Sequence, residues 1–300
     1  MKTRGWRYWR NIIVVSFVGL LIGLLFVFYV ASPVIYVNRV AHPKRTAVCC
    51  ETPEDLGLEY ENVSFKTKDG IALQGWYIPS QNQAAVIISH GIGGNRSRHL
   101  EEGAYLAENG FGVLLLDLCA HGESKRDQVS FSGDDIIAAL DYLLTRDDVD
   151  PNKIGAMGVS LGALVTIQAA VLRQDIRAVV ADGSAANTIQ DLPRPVTLAH
   201  WLDFPFQVVT CWVWKYKGVT APLSTVEAVE KISPRLILLI SGANSEYERE
   251  LQRKLYAAAG EPKILWEVPG AGHAASWKAS PDEYKERLIS IFKQALLENE

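Results

Sequence analysis

The 300-residue chain has only four cysteines, Cys49, Cys50, Cys119 and Cys211, and none of the paired spacings of a zinc site. Cys49 and Cys50 are neighbours, a geometry in which a mutual bond is strained. The expectation is free or small core thiols, with a disulfide as the lesser case. Positive charge is not in excess: 30 Lys and Arg stand against 34 Asp and Glu, a formal net charge of -4. A nucleic-acid binder needs a basic stripe to neutralise phosphates, so nucleic acid is not an expected partner. No Pro/Gly/Ser-rich linker, internal repeat or low-complexity tract divides the chain. Its length suits one large domain plus a short additional segment.

That segment is the N-terminus. Lys2, Arg4, Arg7 and Arg10 precede an uncharged run over residues 11–38, whose most apolar part is 12–31. This matches the ~20 residues that cross a hydrocarbon core as a helix. Trp6, Tyr8 and Trp9 stand at one edge and Tyr29 and Tyr36 near the other, as interfacial aromatics do. The reading is a cytoplasmic stub and membrane anchor over 1–40, with the rest of the chain outside the cytoplasm. A cleaved signal peptide is the alternative. It is disfavoured by Pro33 directly after the small residues and by a run longer than the usual ~7–15-residue signal core.

Residues 41–62 read as a polar connector. Runs at 63–68 and 71–78 flank Asp69-Gly70, a hairpin signal that predicts an antiparallel start to a sheet. Then come short continuous apolar runs at 85–89, 112–117, 154–159, 178–181, 236–241 and 264–268. Without alternation they fit strands buried on both faces of a parallel sheet. Helix-like segments lie between them at 98–109, 133–146, 161–173, 247–259 and 281–298. The alternation predicts a doubly wound, mostly parallel α/β sheet over 63–300, with an aromatic insertion over about 185–233. Ligands on such sheets bind beyond the carboxyl ends of the strands.

At those ends stand three motifs. Gly158-Val159-Ser160-Leu161-Gly162 is G-x-S-x-G between a strand and a helix. It fits a serine on a strained turn whose crossing backbones leave no room for side chains two residues either side. His90-Gly91-Ile92-Gly93-Gly94 follows the run at 85–89 and can offer a backbone N–H, from Ile92, to an oxyanion; Leu161 N–H is the second donor. No Gly-Lys-Ser/Thr follows, so a phosphate cradle is not expected. His273, in Pro269-Gly270-Ala271-Gly272-His273, is free on its loop to reach a nucleophile. His42, His99, His121 and His200 fit that role less well, and His90 reads as structural. The acid belongs between serine and histidine in chain order. Glu246 is the first choice, in the loop after the strand at 236–241. Glu248 is second, more in keeping with a solvated helix residue, and Asp182 third.

With these motifs in this order, the chain resembles the α/β-hydrolase superfamily from about residue 63 to the C-terminus. Asp147-Asp148-Val149-Asp150-Pro151-Asn152-Lys153-Ile154 resembles the dienelactone-hydrolase and prolyl-oligopeptidase-like branch. Two departures stand out: no Asp follows the strand at 236–241, and Cys119-Ala120 replaces the usual arginine element between Asp117 and His121-Gly122-x-Ser124. The resemblance implies a serine hydrolase acting on a carboxylic ester or thioester, with Ser160, Glu246 and His273 as triad and no metal or organic cofactor. An acyltransferase on the same triad and an inactive membrane-tethered binding domain are the alternatives. The aromatic insertion fits a cap over an acyl pocket, helix packing onto the sheet, or contact with the bilayer. The expected substrate is a small-molecule or lipid-like acyl compound.

Overall fold

The computed structural model describes residues 5–298; Lys2 and Arg4 lie outside the described residues. Its centre is an eight-stranded sheet in the order β1-β2-β4-β3-β5-β6-β7-β8. The strands are β1 (Glu61–Lys66), β2 (Ala72–Ile78), β3 (Ala85–Ser89), β4 (Gly112–Leu116), β5 (Ile154–Val159), β6 (Ile176–Asp182), β7 (Leu236–Gly242) and β8 (Lys263–Val268). β1 and β2 are antiparallel, and β3 to β8 run parallel. The Asp69-Gly70 turn closes the first hairpin, with Gly70 N–H donating to Thr67 O at 2.8 Å. The central strands are buried along their whole length, as their unbroken apolar sequences require.

Helices cover both faces. α3 (Leu100–Glu108) and α10 (Pro281–Leu296) pack on one. α4 (Asp134–Leu143), α5 (Leu161–Leu172), α7 (Thr225–Glu230) and α8 (Glu246–Ala258) pack on the other. A one-turn helix, α9 (Ser276–Ala279), precedes α10. The insertion between β6 and β7 is divided. α7 belongs to the sheet-covering layer, and α6 (Leu198–Tyr216) is the part that adjoins the strand ends.

The N-terminus forms one continuous helical rod, Trp6–Ala41, of 36 residues. It comprises α1 (Trp6–Phe26), a π-helical turn (Val27–Ala31) and α2 (Ser32–Ala41). Pro33 has no N–H to give, and the helix loosens into its π turn just before it, with Ser32 N–H reaching back to Val27 O. α1 buries no residue, whereas α2 buries Pro33, Val37 and Ala41 against the domain. At ~1.5 Å per residue the rod is about 54 Å long, more than the ~30 Å of a hydrocarbon core. The rod is thus longer than a hydrocarbon core needs, and its last part, α2, is the part that packs on the domain.

The cysteines meet the expectation of free core thiols at two positions and depart from it at the other two. Cys49 and Cys50 are bonded to each other, with Cys50 in left-handed backbone, while Cys119 and Cys211 are free and buried.

Candidate active site

Ser160 sits between β5 and α5 with φ 56° and ψ -112°, a conformation that lifts its side chain off the sheet. The flanking glycines are sterically required. A Cβ on Gly158 would lie 2.2 Å from Gly162 C, and one on Gly162 would lie 2.3 Å from Ser89 O. Ser160 N–H donates to Asp182 O at 2.8 Å, tying the turn to the next strand.

His273 Nε2 lies 2.9 Å from Ser160 Oγ, although 113 residues separate them in sequence. The loop after β7 holds the histidine loop: Ala243 N–H donates to Val268 O, Asn244 N–H to Ala271 O, and Asn244 Nδ2 to Gly270 O. Ser276 Oγ, three residues past His273, donates to Asp182 Oδ1 at 3.0 Å.

The carboxylate beside the imidazole is Glu248. Its Oε2 is 2.5 Å from His273 Nδ1, and its Oε1 accepts Gly242 N–H at 2.7 Å. This corrects the expectation that Glu246 takes that place. Glu246 opens α8, and its Oε2 accepts from Thr197 Oγ1 of the insertion at 3.3 Å. Two residues on a helix stand about 200° apart, so the turn that points Glu248 inward points Glu246 elsewhere. Ser245 fixes that phase as N-cap, accepting Glu248 N–H. Asp182 is also buried, but its carboxylate accepts from Ser276 Oγ and Tyr284 OH and makes no bond to the imidazole ring.

With a carboxylate at Nδ1, the proton of neutral His273 sits on Nδ1, and the Nε2 lone pair faces Ser160. Hydrogen bonding to Glu248 raises the His273 pKa above its ordinary 6.5 despite partial burial, and the charges of Glu248 and Asp182 add to the effect. This arrangement can accept a proton from the serine and stabilise the resulting imidazolium.

Leu161 begins α5, so its N–H is one of the first-turn donors without a partner inside the helix. Ile92 comes from the facing loop, which crosses so closely that a Cβ on Gly91 would lie 3.1 Å from Ser160 Cβ. His90 shapes that loop rather than reacting. Its Nδ1 donates to Gly91 O at 2.7 Å and its Nε2 accepts Leu118 N–H at 3.2 Å. Burial, with the His121 ring edge-on at 4.9 Å, pushes its pKa down to about 3, so it stays neutral. Beneath it, buried Arg96 donates to Asp117 Oδ2 at 2.6 Å, and a Cβ on Gly122 would lie 2.2 Å from that oxygen. The Asp117 to Ser124 loop thus braces the His90 to Gly94 loop even without its usual arginine.

Two clefts meet at Ser160 and His273. One, about 430 Å³, is mainly apolar, with Phe131, Leu164, Leu192, Phe206, Trp214 and Leu251 in its walls. The other, about 750 Å³, lies along the Gly91 to His99 loop and the connector at Thr46 and Cys49. Tyr36 and Val40 of α2 border both, a role the sequence reading did not assign them. The signal for it was the length of the helical run, which exceeds a membrane's need.

A serine elbow after β5, a carboxylate after β7 and a histidine after β8 of this sheet are the arrangement of α/β-hydrolase proteins. The family model for the alpha/beta hydrolase fold matches residues 84–218. The chain is 30% identical over 250 residues to the uncharacterized protein YfhR of Escherichia coli O157:H7, covering 79% of this chain and 81% of that protein. Among solved structures it is similar to the Pyrococcus furiosus esterase Pf2001, with TM-score 0.67, 24% identity, and 85% and 99% of the two chains covered. It is also similar to the dienelactone hydrolase of Anabaena variabilis, with TM-score 0.56, 18% identity, and 78% and 98% covered. The chain belongs to the α/β-hydrolase family.

Proposed function

We propose that this protein is a membrane-anchored serine hydrolase that cleaves a carboxylic ester or thioester through an acyl-enzyme on Ser160. The carrying observation is the unbroken line from Ser160 Oγ to His273 Nε2 at 2.9 Å and from His273 Nδ1 to Glu248 Oε2 at 2.5 Å. His273 takes the serine proton as Oγ attacks the acyl carbon, and Glu248 holds the imidazole and stabilises its cation. The N–H groups of Ile92 and Leu161 receive the carbonyl oxygen as it becomes negative, at about 3–4 kcal/mol per donor. The imidazolium then protonates the departing alcohol or thiol. Water, deprotonated by the same imidazole, attacks the acyl-enzyme and releases the acid. The half-exposed His273 favours water as the acceptor in that second step.

The apolar cleft favours an apolar acyl group, and the cleft along the oxyanion loop favours the leaving group. Residues 12–31 serve as the anchor, and the cationic flank before them favours an outward-facing domain.

The test is labelling of the full chain in detergent with a fluorophosphonate, alongside Ser160→Ala and His273→Ala. Labelling that disappears in both variants is expected. A folded wild-type protein that neither labels nor cleaves short-chain esters overturns the proposal. Protease digestion of intact spheroplasts is expected to remove the domain; full protection overturns the outward orientation.

A further inference from the structure

α6 carries a stripe of large apolar side chains that stays exposed among the described residues. Leu198, Trp201, Leu202, Trp212 and Tyr216 are 57–90% exposed. Their spacing places them along one side of the helix. Scattered apolar residues are ordinary on a surface, but a contiguous stripe with three aromatics is not. The opposite side of the same helix holds buried Cys211 and Trp214, which line the apolar cleft beside Ser160.

The depth of this stripe follows from the contacts of α6 with the N-terminal rod. Tyr29 OH donates to Leu202 O at 2.9 Å. Phe206 packs against Phe28 at 6.4 Å and against Tyr36 at 6.1 Å between ring centroids. Tyr29 falls in the last turn of the apolar run at 12–31, so the start of α6 lies level with the end of the span.

We infer that α6 is an interfacial helix, seated with its outer stripe in the bilayer surface beside the anchor, and that the substrate is a bilayer-resident acyl ester loaded from the membrane into the cleft between α2 and α6. The inference rests on the serine-hydrolase and anchor readings above. It adds an orientation and a source of substrate. Tyr36 and Val40 of α2 and Phe206 and Gln207 of α6 line the same cleft as Ser160, so a lipid chain rising past the anchor meets the cleft walls without crossing water.

The experiment uses the full chain in phosphatidylcholine–phosphatidylglycerol vesicles. Flotation reports the anchor, and hydrolysis of soluble methylumbelliferyl butyrate reports the catalytic site. An environment-sensitive NBD label at Leu202→Cys, quenched by spin-labelled lipid, reports the depth of α6. The same label at Glu286→Cys, an exposed position of α10, is the control. The inference expects strong quenching at 202 and none at 286. Equal quenching at the two sites in floated protein overturns it, whatever the enzyme does.

The triple variant Leu198→Ser, Trp201→Ser, Leu202→Ser replaces no cleft-lining residue. It should keep butyrate turnover within about twofold while losing about tenfold or more on vesicle-borne methylumbelliferyl palmitate. Equal rates on the palmitate for variant and wild type overturn membrane loading. A wild type inactive on both esters removes the hydrolase reading and the substrate with it, while the quenching result still decides the seat of α6.

Discussion

Glu248 and His273 are joined by the shortest link in the catalytic line, 2.5 Å from carboxylate to Nδ1, and the second oxygen of Glu248 is held by Gly242 N–H. Both oxygens of a buried carboxylate are thus used, one to fix Glu248 itself and the other to hold His273. Glu248→Gln offers an amide that can present N–H to Nδ1 and so favour the wrong tautomer. The expected fall in kcat is about 10²–10⁴-fold. Glu246→Gln should stay within about twofold, since that side chain meets Thr197 instead. Steady-state kinetics on a short-chain ester separate the two, and a reversed order of effects would return the acid to Glu246.

The same bond sets the pH profile. The general base works as neutral imidazole, so kcat/KM should rise with pH through the His273 pKa. Glu248 raises that pKa above 6.5, which puts the inflection above 6.5 in the wild type. Removing the largest cause in Glu248→Gln should move it down while lowering the plateau. For folding the direction reverses. A raised histidine pKa adds stability that is present below 6.5 and fades as pH rises through the folded value. A variant profile with an unmoved inflection would mean that another group titrates.

Two glycines near the nucleophile should fail in different ways. Gly162→Ala sets a Cβ 2.3 Å from the backbone carbonyl of Ser89, the buried last residue of β3, where backbone cannot yield. A loss of stability above about 3 kcal/mol is expected, with little folded protein recovered. Gly91→Ala meets Ser160 Cβ at 3.1 Å, with Val159 O at 3.4 Å and Ser160 Oγ at 3.7 Å. It should fold with nearly wild-type melting and lose about tenfold in kcat, because the oxyanion loop is pushed from the serine. Denaturant titration and kinetics on both variants check this contrast.

The central strands β3, β4, β5 and β7 were legible because each is a short apolar run ended or followed by Gly, Asp or Ser, and the parallel interior needs that composition. Ser160 and His273 could be singled out because both stand on glycine-marked turns after strands. Glu248 was hidden by helix phase. Its place two residues into α8 looks solvated in sequence, and only the Ser245 cap decides which of two glutamates faces inward. The bond between Cys49 and Cys50 and the docking of α2 were likewise out of reach. The first requires a left-handed Cys50, and the second depends on where a 36-residue helix leaves the apolar run.

Asp182 provides a test away from the chemistry. Its carboxyl is 2% exposed and accepts from the hydroxyls of Ser276 and Tyr284, so it anchors the segment that follows His273. Burial pushes its pKa from 3.8 to about 6, with the nearby Glu248 charge adding to the rise. Between those values the folded state binds the proton more tightly than the unfolded state does. This group's contribution is therefore full below about pH 4 and lost as pH rises through 6, at most about 3 kcal/mol. Asn at this position cannot ionise, so Asp182→Asn should gain stability relative to wild type as buffer pH goes from about 4 to 7. Urea midpoints of both proteins across that range measure the difference. Parallel curves would show that Asp182 holds its charge in the folded state. If the anchoring of Ser276 matters to the base, the variant should also lose kcat on soluble esters with KM little changed. The loss should persist above pH 7, where His273 in the wild type is increasingly neutral.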